Sequence, residues 1–127
     1  MIKNTLFLLM FLAISPQAFS AAISGNASWY STEACQFNKD PKCPMANGES
    51  LYNAQKKEKR FAAMWGIPLG SRVKVCNPST GKCVVVQVLD RGPNKRLSDR
   101  VIDLSKNSFS EISETRLGVI PVTVERI

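Results

Sequence analysis

Apolar residues follow two regimes along the chain. Leu6 to Ile14 is one continuous apolar run, whereas beyond Ser20 they recur in short bursts separated by turn-forming residues. The first run has Lys3 ahead of it and Ser15-Pro16 behind it, and Ala18 and Ser20 place small residues just before Ala21. That is the three-part pattern of a secretory leader, and it falls short of the roughly 20 apolar residues a spanning helix needs. Cleavage after Ser20 is expected, with Ala22 as the minor alternative. The mature protein is then residues 21–127, periplasmic or secreted, with no membrane anchor left after cleavage.

The later bursts predict strands. Asn26 to Tyr30 reads as the first, followed by an irregular stretch over 31–60 that holds Pro41, Pro44 and Asn47-Gly48. The charged run from Lys56 to Arg60 reads as a solvated loop. Phe61 to Met64 is a short apolar stretch before the turn Ile67-Pro68-Leu69-Gly70. Strands are expected at Arg72–Cys76 and Cys83–Leu89. The near-continuous run Val84 to Leu89 suggests a strand buried on both faces. Asp90 to Asn94 breaks it, and Arg100 to Leu104 is a further short strand. A short helix starts near Ser105, or at Ser108 if Ser108 and Glu111 form a capping box. Phe109 and Ile112 share its inner face. Ile120 to Ile127 closes the chain, alternating around Val122 and Val124. Many short strands with one small helix predict a compact β-barrel.

Length and charge narrow this picture. Removing residues 1–20 from the 127 leaves 107, enough for one core. The 17 basic and 10 acidic residues give +7, and loss of Lys3 lowers it to +6. In an exported protein such a charge suits anionic envelope polymers, and no nucleic-acid motif is present. The mature protein is expected to be a monomer.

All four cysteines, Cys35, Cys43, Cys76 and Cys83, lie in the mature part, which favours disulfides. Three pairings are possible. Cys76 and Cys83 flank a turn-rich loop between two valine-rich runs, so they would face each other across a hairpin, leaving Cys35 to pair with Cys43. The rival, a four-cysteine zinc site, lacks the usual spacing, and the chain contains no histidine. No metal and no cofactor are expected.

Several segments then match one pattern in order: Ala27-Ser28-Trp29-Tyr30, Ala46-Asn47-Gly48-Glu49, Ile67-Pro68-Leu69-Gly70-Ser71, Asp90-Arg91-Gly92-Pro93 and Val101-Ile102-Asp103-Leu104-Ser105. Over nearly all of residues 25–127 the chain resembles the rare lipoprotein A family, related to expansins and barwin. The resemblance implies a mainly β, six-stranded double-psi β-barrel with one or two short helices. It also implies lytic transglycosylase activity on peptidoglycan. That chemistry needs a carboxylic acid to protonate the departing glycosidic oxygen. The sugar's own 6-hydroxyl then closes on the anomeric carbon. By the resemblance, Asp90 and Glu49 match catalytic positions and Asp103 an aspartate important in expansins. Asp90 is the expected general acid, and Trp29, Tyr30, Asn47, Arg91 and Met64 are expected to contact the glycan. Met64 stands where the family pattern has a histidine. The alternatives are a non-catalytic, expansin-like glycan binder and a small secreted protease inhibitor on the same barrel.

Overall fold

The computed structural model describes residues 21–127; the predicted leader lies outside them. Six strands form a closed barrel: β1 (Ile23–Tyr30), β2 (Phe61–Ala63), β3 (Arg72–Asn77), β4 (Lys82–Asp90), β5 (Arg100–Ser105) and β6 (Val119–Arg126). Around the barrel they run β1-β5-β2-β4-β3-β6. β1 is parallel to β5 and β2 to β4, while the other neighbours are antiparallel. Two short helices, α1 (Leu51–Lys56) and α2 (Lys106–Ile112), lie outside the strands.

The barrel interior follows from period-two alternation. Val73 and Val75 on β3, Val84, Val86 and Val88 on β4, and Ile120, Val122 and Val124 on β6 all turn inward, where they meet Ile102, Leu104, Phe109 and Ile112. The expectation that β4 is buried on both faces needs correction: Gln87 is exposed and Val85 only partly covered. A closed barrel has one interior, so an outward residue is buried only where another segment lies over it.

That covering segment is the stretch expected to be irregular. Residues 32–37 make a 3-10 turn, and α1 places Leu51 and Ala54 on one buried face. Together with Cys35, Cys43, Met45, Phe61 and Leu89 they form a second apolar cluster outside the barrel, with Tyr30 packed against it. A single helical turn is too short for its periodicity to stand out in the sequence. At the other helix, Ser105 is the N-cap residue and Ser108 lies within the helix, its hydroxyl 2.6 Å from that of Ser105. The earlier of the two expected starts is therefore the observed one. Phe109 and Ile112 are both fully buried, as their spacing predicts.

Both disulfides join the expected partners. Cys76 and Cys83 are directly opposed across the β3–β4 hairpin, with Cα atoms 4.1 Å apart. Cys35–Cys43, at 5.6 Å, ties the covering segment to itself inside the second cluster. Non-reducing peptide mapping of the purified protein should recover these two cross-links and no exchanged pair. Replacing either pair by serines should cost about 2–5 kcal/mol of stability in chemical denaturation.

Candidate active site

The short strand β2 sits between β4 and β5, and one of its residues organises the site. Ala63 is paired with Asp90 on one side and with Asp103 on the other. The pairing with β4 shifts register between Ala62 and Ala63, so that Val88 opposes Ala62 while Asp90, not Leu89, opposes Ala63. Such a bulge re-aims a side chain. Here Leu89 enters the second apolar cluster and Asp90 lines an open groove. Neighbouring strands lie about 4.8 Å apart, which puts the two aspartate Cα atoms roughly 10 Å from each other. Ala63 is the residue paired between them. Gly92 comes close to the same floor: a Cβ there would be 3.3 Å from that of Ala63.

The groove has a volume of about 250 Å³, and Tyr30, Ala63, Asp90, Arg91, Pro93 and Asp103 are among its lining residues. The two carboxylates differ in their surroundings. Asp90 accepts from the Tyr30 hydroxyl at 3.1 Å, from the Ala46 N–H at 2.9 Å and from the Arg91 N–H at 2.9 Å. Both of its oxygens are thus engaged as acceptors. Among the described residues, Asp103 accepts from the Ser28 hydroxyl alone, at 3.2 Å. Burial, reinforced by the charge of Asp90, pushes its pKa up to about 6 against the pull of Ser28 and Arg100. Tyr30 packs edge-on to Phe61, ring centroids 5.8 Å apart. Burial and both aspartates hold its pKa far above the ordinary phenol value, so it remains a hydrogen-bond donor.

Of the other expected site residues, only Arg91 is among those lining the groove. Glu49 forms an ion pair with Lys59 at 2.6 Å on the outer side of its turn, and that hydrogen bond lowers its pKa. Asn47 is exposed; its side chain caps the Glu49 N–H and its own N–H donates to the Leu89 carbonyl. Trp29 points away from Tyr30 by strand alternation, donating its indole N–H to the Thr115 carbonyl at 2.9 Å. The Met64 side chain packs into the barrel core and is 7% exposed. Arg91 does line the groove, but its guanidinium turns back to the carbonyls of Met64 and Ile67, at 2.9 and 2.6 Å. Ser28 was not singled out as a site residue. Its spacing of two from Tyr30, which puts both on one face of β1, was the available signal.

A family model described as lytic transglycolase matches residues 22–124. The chain belongs to this family. The match covers β1 to β5 and most of β6, with both aspartates and both disulfides. An endolytic peptidoglycan transglycosylase RlpA of Pseudomonas aeruginosa is 41% identical over 105 residues, 81% of this chain and 27% of that protein. An uncharacterised protein of Synechocystis is 42% identical over 83 residues, 65% of this chain and 81% of the relative. Among solved structures, a Clavibacter michiganensis expansin mutant in complex with cellohexaose superposes with a TM-score of 0.60 at 18% identity, covering 84% of this chain and 50% of that one. The expansin shares the double-psi fold, while the relatives named as transglycosylases share the sequence as well. This chain spans only a minor part of the Pseudomonas protein's length.

The raised pKa of Asp103 has a consequence for stability. The folded carboxyl holds a proton that the unfolded chain has already released, so stability falls as pH rises from about 3.8 through about 6. The cost above that window is about 3 kcal/mol. Asp103→Asn should flatten this slope and raise stability at neutral pH by about 1–3 kcal/mol, as read from denaturation midpoints across pH.

Proposed function

We propose that this domain cleaves peptidoglycan glycan strands as a lytic transglycosylase in the cell envelope, reached through the leader at residues 1–20. The observation that carries the reading is the pair of unlike carboxylates on either side of Ala63 in one groove. Membership of the lytic transglycolase family and the names of the relatives support it.

The geometry favours Asp103, rather than Asp90, as the general acid. A carboxyl titrating near 6 keeps a usable protonated fraction at neutral pH. In the proposed reaction the Asp103 proton passes to the glycosidic oxygen as its bond to the anomeric carbon breaks. Positive charge then builds on the sugar, and Asp90, held ready by Tyr30 and two backbone N–H groups, lies close enough to stabilise it. The 6-hydroxyl of the same sugar attacks the anomeric carbon and gives its proton back to Asp103. The product is a 1,6-anhydro end, and no water is consumed. Glu49, paired with Lys59 away from the groove lining, is given no proton to move in this scheme.

A second reading, a glycan-binding barrel without cleavage, draws on the missing imidazole: Met64 replaces it and the chain holds no histidine. Incubating mature protein with purified sacculi, followed by mass spectrometry for 1,6-anhydro ends, separates the two. The enzyme reading expects such ends from the wild type. Asp103→Asn and Asp90→Asn should each lower turnover by at least ~10²–10⁴ while sacculus binding persists. Wild-type protein that sediments with sacculi yet releases no anhydro product would assign the barrel to binding.

A further inference from the structure

The loop after β2 carries a feature that the acidic groove does not use. Trp65 follows directly on the Ala63–Met64 floor and is 43% exposed, unusual for so large an apolar ring. It is nevertheless held in one orientation. Its indole N–H donates to the Pro93 carbonyl at 2.7 Å, and Pro93 is itself part of the groove wall. Arg91 braces the same loop from beneath through the Met64 and Ile67 carbonyls. The Lys95 ammonium lies over the Trp65 ring, 4.3 Å from its centroid. Trp65 also borders a cleft of about 310 Å³, walled by Met64, Ile67, Val73 and Val124.

An exposed aromatic plane fixed by its own hydrogen bond offers a pyranose a flat apolar face at little entropic cost. A lysine resting on that ring brings a positive charge to the same spot. Aspartates supply the negative charge of the groove, so the cation marks where a substrate's own anion belongs. We propose that Trp65 and Lys95 form a subsite, next to the Pro93 end of the groove, for a sugar residue bearing a carboxylate. The pyranose lies against Trp65 and its carboxylate pairs with Lys95. This deepens the glycan-cleaving reading, on which it rests, by assigning preference for an acidic over a neutral strand.

The test uses Asp103→Asn protein, so that binding is read apart from cleavage, with two probes: neutral chitohexaose and solubilised, carboxylate-bearing peptidoglycan strands. Added Trp65→Ala should weaken binding of both by about tenfold, and Trp65→Tyr should restore most of it. Lys95→Ala, an exposed substitution with little to disturb in the fold, should weaken binding of the acidic strand alone and erase the preference between probes. Near-UV circular dichroism checks that each variant is folded. Unchanged affinity in both Trp65→Ala and Lys95→Ala would overturn the subsite. Equal weakening of both probes by Lys95→Ala would overturn its reading of charge. Should wild-type protein produce no anhydro ends while the affinities follow the expected order, the cleavage reading fails and the subsite stands.

Discussion

The Tyr30 hydroxyl reaches Asp90 across 3.1 Å, and its ring packs edge-on to Phe61 against the cluster that includes the Cys35–Cys43 disulfide. That contact depends on two aspartates being kept together in a partly desolvated groove, an arrangement that costs free energy unless donors are supplied. Ser28 and Tyr30 supply them from one face of β1, and the Ala46 N–H from the covering segment. The covering segment is therefore more than a loop: it brings the Ala46 N–H to Asp90 and buries the phenol that donates beside it.

Because the donors are shared unequally, chemically identical side chains acquire different roles. Asp90 accepts three hydrogen bonds, whereas Asp103 accepts one among the described residues and has its pKa raised by burial. The asymmetry arises from the backbone. A one-residue bulge in the β2–β4 pairing turns Asp90 out of the core and into line with Ala63, while Leu89 takes the place under the covering segment. The same loop that holds Asp90 also carries Pro93, whose carbonyl anchors Trp65, so the acidic floor and the aromatic rim are parts of one braced unit.

Five of the six barrel strands were legible from the chain because short apolar bursts between turn residues are a local signal. Val73/Val75 and Ile120/Val122/Val124 declare an inward face within a few residues. The hairpin disulfide was legible for the same reason. Strand β2 and helix α1 were not, since three or six residues carry too little periodicity and owe their form to neighbours far along the chain. Of the site, Asp90, Asp103 and Tyr30 were found through ordered motifs, and the structure brings those three together.

What the sequence by itself determined was a β-barrel, the disulfide partners and, through motifs that resemble a known family, the short set of carboxylates worth testing. Each follows from composition, spacing or a motif contained within a few residues. Tertiary structure alone decided that Glu49 turns to Lys59, that Met64 packs inward and that Trp65, not Trp29, stands beside the groove wall. It alone decided which aspartate is left short of donors. Orientation and desolvation depend on partners that lie tens of residues away, such as Ser28 for Asp103 and Ala46 for Asp90. No local pattern encodes them; closing the barrel does.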